Sequence, residues 1–221
     1  MLLPYQMLFA IALFAGLSAA RAGIVKITIT SREPAFGGKV FGKVGAYEKL
    51  KGKAYGEVDP NLPQNALIAD IQLAPRNARG MVEYAADIYI LKPVDLSKGN
   101  HKLFENIPNR GNKTFSAFNK SGGGNEPTIG DQQAAGFLMQ MGYTVVWCGW
   151  DISAPANPNS MTITVPVAVN KDGSPITGPS YEYISSDGKA MSSKLTYAAA
   201  PLDKSQATIT VRAFLNDFPQ T

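Results

Sequence analysis

The sequence predicts an α/β fold, in which two parallel strands are joined by a crossover helix and followed by a β-rich antiparallel segment. Three observations predict this class. Residues 103–107 and 143–150 are strand-like, and the second run is apolar almost throughout, as in a strand buried on both faces. A stretch with helical periodicity lies between them. Beyond residue 151, short β-prone runs alternate with turn signals.

The early part of the chain contains three further strand-like runs. Residues 24–30 and 46–58 are two of them, with glycines between. In the third, 82–91, apolar residues occupy alternate positions and therefore share one face of a strand, which Pro93 ends. The residues of that face are Val82, Tyr84, Ala86, Ile88 and Ile90.

The crossover helix is predicted from an apolar stripe at positions i, i+3, i+4 and i+7, formed by Ala134, Phe137, Leu138 and Met141. Gly142 is well placed to end it. A strand, a connection with a helix and a second strand form a βαβ unit, so the two strands are expected to be parallel.

The composition changes after residue 151. Residues 154–160 (APANPNS) are linker-like, and β-prone runs follow at 161–169, 181–184, 195–197 and 207–214. The turn signals KDGS and SDGK lie between them. We therefore expect one domain portion at 23–151 and an incomplete β-rich segment at 152–221.

The N-terminus has the features of a secretory signal peptide. Residues 7–20 are apolar and uncharged, and Ala20-Arg21-Ala22 forms a small-residue cleavage box. We expect residues 1–22 to be removed after Ala22, which leaves a secreted or periplasmic protein without stable membrane insertion. The apolar run is shorter than the ~20 residues of a spanning helix, although an uncleaved anchor is the alternative.

Composition argues against two classes of function. The formal net charge is +4, but the lysines are scattered, so no nucleic-acid stripe is predicted. The one cluster, 48–53 (EKLKGK), is interpreted as a solvated face. One cysteine and one histidine cannot form a Cys/His metal site. Cys148 is interpreted as a buried core thiol, and neither a metal nor a cofactor is predicted.

The loop of Asn109, Arg110, Gly111 and Asn112 is the candidate substrate loop. It follows one strand of the predicted parallel pair and precedes the crossover helix, a position from which backbone N–H groups can stabilise an oxyanion. Asn112 separates Gly111 from Lys113, so the loop lacks the glycine–lysine pair of a phosphate loop. The alternative is a connecting loop whose glycines only permit a tight turn.

Several segments together resemble a known family: 29–60 (ITSREPAFGG and onward), 68–95, ENIPNRGNK at 105–113, 122–128 and GFLMQMGYTVVWCGWD at 136–151. They are similar to the N-terminal part of the large secreted bacterial α/β-hydrolase domain-containing proteins, from about residue 27 onward. The resemblance implies the early strands and crossover helix of an α/β-hydrolase-like sheet, a β-rich insertion, and hydrolysis of a small-molecule ester by the complete protein. It also implies an oxyanion role for the N–H groups of Arg110 to Asn112, and Arg110 is a candidate to hold a substrate carboxylate or pair with an internal acid.

No catalytic residue is assigned within this chain. The G-x-S-x-G motif that presents a serine nucleophile is absent, so the chain is expected to stop before it. His101 lies before the loop rather than downstream and is interpreted as a solvated turn residue. Ser186 and Lys189 fit S-x-x-K, but Asp-Gly between them predicts a turn. Asp151 either binds substrate or closes a turn.

Three hypotheses for the function follow. In the first, the chain is the N-terminal segment of a secreted ester hydrolase and is inactive alone. In the second, it is a stand-alone extracellular binding or structural protein. In the third, it is one chain of a split hydrolase whose partner is a downstream segment or chain.

Overall fold

The computed structural model describes residues 23–113, 125–128, 136–155, 157–184, 192, 195–200, 205, 208, 210–214 and 216–218. The chain divides into two compact units, Met1–Ala168 and Val169–Thr221, each of which is described by itself. The predicted signal peptide lies outside the described residues.

The first unit is built on a seven-stranded sheet in the order β1-β3-β4-β6-β5, with β2 paired to β3 and β7 paired to β4. The strands are β1 (Gly23–Pro34), β2 (Val40–Phe41), β3 (Gly45–Val58), β4 (Val82–Pro93), β5 (Leu103–Glu105), β6 (Thr144–Cys148) and β7 (Ile163–Thr164). Strand β6 lies between β4 and β5, and only the β5–β6 pair is parallel. The predicted strands at 24–30, 46–58 and 82–91 are confirmed.

The predicted α/β fold class, with its α/β-hydrolase-like sheet and crossover helix, is wrong. The sheet is mixed and mostly antiparallel, and the described residues include a single α-helix, α1 (Phe137–Gln140), of four residues. Gly136 adopts a left-handed conformation (φ 55°) immediately before α1, and Gly142 (φ 77°) follows it, so the apolar stripe cannot extend into a longer helix here. Ala134 lies outside the described residues. The parallel pairing itself is present, with Leu103 opposite Thr144.

The prediction of a β-rich antiparallel segment is also wrong for the residues that the structure describes. Within 161–169 only the two residues of β7 form a strand, and they pair with β4. In the described part of Val169–Thr221, Val169 and Pro175 form an isolated bridge around the predicted KDGS turn, where Gly173 has φ 82°, and no strand follows. The turn is confirmed; SDGK at 186–189 lies outside the described residues.

The core packs against one end of one face of the sheet. Tyr47, Tyr89 and Trp147 are almost fully buried, and the Tyr89 and Trp147 rings meet edge to face with centroids 5.5 Å apart. The Tyr47 hydroxyl donates to the carbonyls of Met139 (3.2 Å) and Tyr143 (2.9 Å), which fastens α1 to the sheet. Side chains alternate along a strand. The face that carries the core therefore continues, at alternate positions of β3 and β4, into the candidate site.

Candidate ligand-binding cleft

A cleft of about 410 Å³ lies on the core face of the sheet, beyond the packed aromatic residues. Its floor is formed by residues of β1, β3 and β4, and its far wall by the loop 157–161. The residues from the three strands with polar side chains are Thr28, Thr30, Lys51, Lys53, Tyr55, Asp87 and Tyr89, and Lys113 joins them from the segment that follows the substrate-loop candidate.

The lysines of β3 form the basic part of this face. Lys49, Lys51 and Lys53 alternate in sequence, so the period of two places all three on the core side. Lys53 lies opposite Asp87 in the register, and their charged groups are 2.8 Å apart. The second carboxylate oxygen of Asp87 accepts a hydrogen bond from the Thr162 N–H at 3.0 Å, which ties β4 to the far wall.

Glu126 is the buried acid beside the cleft. One oxygen accepts hydrogen bonds from the Tyr89 hydroxyl (2.5 Å) and the Thr128 hydroxyl (2.8 Å), and the other lies 3.3 Å from the Lys51 ammonium and 3.8 Å from that of Lys49. Burial acts to raise the pKa of this carboxyl, but the two hydroxyl donors and the two lysines together hold the pKa below its ordinary value. Glu126 is therefore ionised at neutral pH.

Lys113 is the most unusual charged group of the cleft. The residue is 5% exposed, its ammonium donates to the Asn159 carbonyl at 2.7 Å, and it lies 5.3 Å from the centre of the Tyr89 ring. None of the ion pairs between described residues includes Lys113. Burial lowers the pKa of its ammonium from 10.5 to about 8. The cleft thus contains a buried cation whose direct partners are neutral.

The substrate-loop candidate is a tight turn outside the cleft lining. Asn109 and Asn112 exchange both backbone hydrogen bonds at 2.9 Å, and Arg110 and Gly111 between them have φ values of 48° and 80°, as in a type I′ turn. The Asn112 N–H is therefore used within the turn. Asn109, Arg110 and Asn112 are exposed. Binding of an oxyanion by this loop stays a prediction.

The turn has an observable structural role, which is to position Lys113. The Gly111 carbonyl accepts from the Met161 N–H (3.0 Å) and from the Asn125 side-chain amide (3.2 Å), and Asn125 in turn accepts from the Lys113 N–H (2.7 Å). A Cβ at Gly111 would lie 2.4 Å from Ser160 Oγ, so the absence of a side chain lets the far wall approach the turn.

Ser160 lines the same cleft and carries an unsatisfied hydroxyl. Its Oγ is buried and makes no hydrogen bond with any group in the described part of the chain. A buried hydroxyl without a partner is destabilising by about 1–3 kcal/mol, and most native structures avoid it. The hydroxyl lies against Gly111 and has almost no accessible surface, so it is enclosed where the far wall meets the turn and does not face the cleft.

Other residues that the sequence singled out take no part in the cleft. His101 is exposed with φ 57°, as predicted for a solvated turn residue. Asp151 accepts hydrogen bonds from the N–H (2.8 Å) and hydroxyl (2.7 Å) of Ser153, so of its two predicted roles it has that of closing a turn. Cys148 is half-buried rather than buried. Ser186 and Lys189 lie outside the described residues.

Two further properties can be stated for the described residues. They include no group of three His, Cys, Asp or Glu side chains that could hold a metal ion. Their helices also include none with the length and apolarity that a membrane crossing requires.

The residues that form the cleft were missed by the sequence analysis. The alternation of lysines at 49–53 was the available signal, and its interpretation as a solvated face is wrong for Lys49, whose side chain is 13% exposed beside Glu126. Comparison of the chain with family models, with curated proteins and with solved structures gives no match. The function is therefore inferred from the geometry of the cleft.

Proposed function

We propose that this protein binds a small carboxylate-bearing molecule in the cleft formed by β1, β3, β4 and the loop 157–161. The observation that carries this proposal is the buried Lys113 ammonium, which has a carbonyl and an aromatic ring as direct partners. A binding protein of this kind corresponds to the second of the three hypotheses drawn from the sequence.

Electrostatics favour an anionic ligand at this position. Glu126 and Asp87 form ion pairs with Lys51 and Lys53. Their charges also favour the ammonium of Lys113, but neither carboxylate forms an ion pair with it, so Lys113 is the cation that a ligand carboxylate would pair with directly. Such a pair is a charge-assisted hydrogen bond in a region of reduced dielectric. Hydrogen bonds to charged groups contribute about 1.5–3 kcal/mol, which corresponds to roughly 10- to 150-fold in affinity.

Calorimetric titration with hexanoate and with D-glucuronate at pH 7 tests the proposal. We expect Lys113→Met to weaken binding of both carboxylates by at least about tenfold. Lys98→Met is the matched control, because the Lys98 side chain is 57% exposed and its partner Asp95 lies at 3.9 Å, away from the cleft. Equal affinities of the Lys113→Met and Lys98→Met proteins would refute the proposal.

The pH dependence of binding gives an independent test on the unmodified protein. Because the pKa of Lys113 is about 8, its ammonium loses its charge as the pH rises above that value. We expect the affinity for either carboxylate to fall between pH 7 and pH 9.5. An affinity that stays constant over this range would contradict a role for Lys113.

Ester hydrolysis by a larger assembly is the second candidate function. The observation that favours it is the turn at the carboxyl end of the parallel strand β5, where the N–H groups of Arg110 and Gly111 take no part in the two hydrogen bonds of the turn. In this proposal the catalytic nucleophile comes from a downstream segment or a second chain. A secreted or periplasmic location, with cleavage after Ala22, is proposed from the N-terminal sequence.

Purification from the native host tests this second candidate. We expect the hydrolase to have an intact mass several-fold larger than residues 23–221, or to co-purify with a second chain, and to react with a fluorophosphonate probe. A single species with the mass of residues 23–221 that does not react with the probe would eliminate hydrolysis and confirm the cleavage site.

A further inference from the structure

A second concave site, the apolar groove, lies on the face of the sheet opposite the first cleft. Along β4, Val82 and Tyr84 of the groove occupy alternate positions of one face, whereas Asp87 of the first cleft occupies a position of the other. The remaining lining comes from the end of β3, from β7 and the residues after it, and from the segment 68–74. The volume of about 360 Å³ lies within the range of small-molecule sites, about 300–1,000 Å³.

The floor of the groove is aliphatic and aromatic. Val58 and Val82 lie opposite each other at the ends of β3 and β4, and Tyr84 lies two residues further along β4. A Cβ at Gly56 would lie 2.2 Å from the Tyr84 ring, so the absence of a side chain there lets the ring lie across β3.

The walls of the groove keep apolar surface in contact with water. Ile68 from the segment 68–74 is 48% exposed, and Val165 from the chain after β7 is 40% exposed. Removing such surface from water is favourable in proportion to its area. A ligand that is apolar over most of its length therefore fits this site.

The wall formed by 68–74 is held in place by its own hydrogen bonds. The Asn65 side-chain amide donates to the Asp59 carbonyl at 2.7 Å, and the Ile68 N–H donates to the Asn65 carbonyl at 3.0 Å. The Leu73 N–H donates to the Asp70 carbonyl at 2.9 Å. Because this wall is already ordered, a ligand need not provide the free energy to order it.

The charge of the lining is negative. None of its residues is basic, and its two acidic residues are Asp70 and Glu83. Glu83 accepts a hydrogen bond from the Asn77 side-chain amide at 2.8 Å. Asp70 is exposed, and its carboxylate belongs to none of the ion pairs between described residues. An apolar floor beside an unpaired carboxylate is complementary to a molecule with an apolar body and one positive charge.

We propose that the apolar groove binds a small aliphatic amine, with its alkyl chain over Val82 and Tyr84 and its ammonium at Asp70. This site does not depend on carboxylate binding in the first cleft. A neutral apolar molecule would bury the same surface without pairing Asp70, and a carboxylate would be repelled by that side chain.

The test compares hexylamine, butylamine and hexan-1-ol by calorimetry on the full chain at pH 7, where both amines are protonated. Each methylene buried in the groove should strengthen binding about three- to fourfold, so hexylamine should bind roughly tenfold more tightly than butylamine. Hexylamine should also bind about three- to fivefold more tightly than hexan-1-ol, since ion pairs with exposed carboxylates are weak.

Two exposed positions of the lining separate the charge from the apolar surface. Asp70→Asn should abolish the preference for hexylamine over hexan-1-ol, whereas Asp95→Asn, at an exposed position outside the lining, should preserve it. Ile68→Ala should weaken the binding of both ligands by about three- to tenfold. Ile152→Ala is its control, because Ile152 is 67% exposed and lies outside the lining.

The first cleft provides an internal control for the location of the site. Lys113→Met, which should weaken carboxylate binding, should change hexylamine affinity by less than twofold, because the two sites lie on opposite faces of the sheet. Saturating hexanoate should likewise not displace hexylamine. A tenfold loss in Lys113→Met, or displacement by hexanoate, would place the amine in the first cleft and overturn the inference.

The other outcomes are equally decisive. Equal affinities for hexylamine and hexan-1-ol, equal losses of amine affinity in Asp70→Asn and Asp95→Asn, or no amine binding to cooperatively melting protein would each overturn the inference. A dimer that dissociates in Ile68→Ala would assign the groove to a second copy of the chain. A melting temperature of ligand-free Ile68→Ala well below that of Ile152→Ala would assign it to another segment of the same chain. Either result would also overturn the inference.

Discussion

The buried ammonium of Lys113 should make the stability of this protein depend on pH in the alkaline range. Burial lowers the pKa of Lys113 from 10.5 to about 8. Each pKa unit corresponds to about 1.4 kcal/mol, so keeping this charge in the folded state costs roughly 3 kcal/mol.

The sign of the effect follows from proton binding. Below pH 8 the folded and unfolded states both hold the proton, and the full cost of the buried charge is present. Between pH 8 and pH 10.5 the unfolded chain binds more protons at this lysine than the folded chain does. The free energy of unfolding attributable to Lys113 therefore increases with pH across this window and becomes constant above it.

The assay is urea denaturation of the unmodified and Lys113→Met proteins at intervals from pH 7 to pH 10.5. Met removes the titrating group and, at every pH, the hydrogen bond to the Asn159 carbonyl. The difference in free energy of unfolding between the two proteins should therefore change by roughly 3 kcal/mol across the window, in favour of the unmodified protein at high pH. A constant difference from pH 7 to pH 10.5 would show that the ammonium is not buried as described.

Three substitutions test the packing around the cleft. Gly52→Ala places a Cβ 2.0 Å from the Thr28 carbonyl oxygen, so we expect a loss of about 1–3 kcal/mol and faster amide hydrogen exchange in β1. Tyr89→Phe removes a hydrogen bond to the ionised Glu126, which should cost about 1.5–3 kcal/mol at pH 7 in urea denaturation. Because the pKa of Glu126 is lowered in the folded state, that loss should shrink as the pH falls and the carboxyl is protonated. Ser160→Ala removes an unsatisfied hydroxyl and should raise the stability of the ligand-free protein by about 1 kcal/mol.

Matched controls are available for two of these substitutions. A Cβ at Gly178 meets no atom within 4 Å, so Gly178→Ala should leave the exchange of β1 unchanged. Ser97→Ala removes a hydroxyl that donates to Asp95 at 2.6 Å and should be mildly destabilising, opposite in sign to Ser160→Ala. If Gly52→Ala resembles Gly178→Ala, or Tyr89→Phe is neutral at pH 7, the packing inferred for the cleft is incorrect.

The strands could be predicted from sequence because their signal is local. Alternation over 82–91 identified β4, and the structure extends it from Val82 to Pro93. The prediction of the crossover helix failed for an equally local reason. The apolar stripe was used without considering Gly136, which adopts a left-handed backbone conformation immediately before α1. The spacing of apolar residues alone predicts which face of a helix would be buried, whereas a glycine in the left-handed conformation determines where a helix can begin.

The cleft could not be predicted because its parts are far apart in the chain. The lysines of β3 looked solvent-exposed in sequence, and their partner Glu126 lies more than 70 residues later. Lys113 is buried, and its ammonium donates to the Asn159 carbonyl of the loop 157–161, which is more than 40 residues away in the chain. Burial and charge pairing of this kind depend on tertiary contacts, which neither the periodicity nor the composition of one segment specifies.

The position of β5 at the end of the sheet has a consequence for the order in which a nascent chain can assemble. In the described sheet, β5 pairs with β6 alone, yet it is synthesised first, and residues 106–143 must follow before its neighbour exists. At about 5–20 residues per second this interval is roughly 2–8 s. Strands β3 and β4, in contrast, can each pair as soon as they emerge with a strand made before them. The antiparallel strands β1, β3 and β4 can therefore pair first, and β6 can then pair with β4. Only after that step can β5 pair with β6, although β5 is the earlier of the two in the chain.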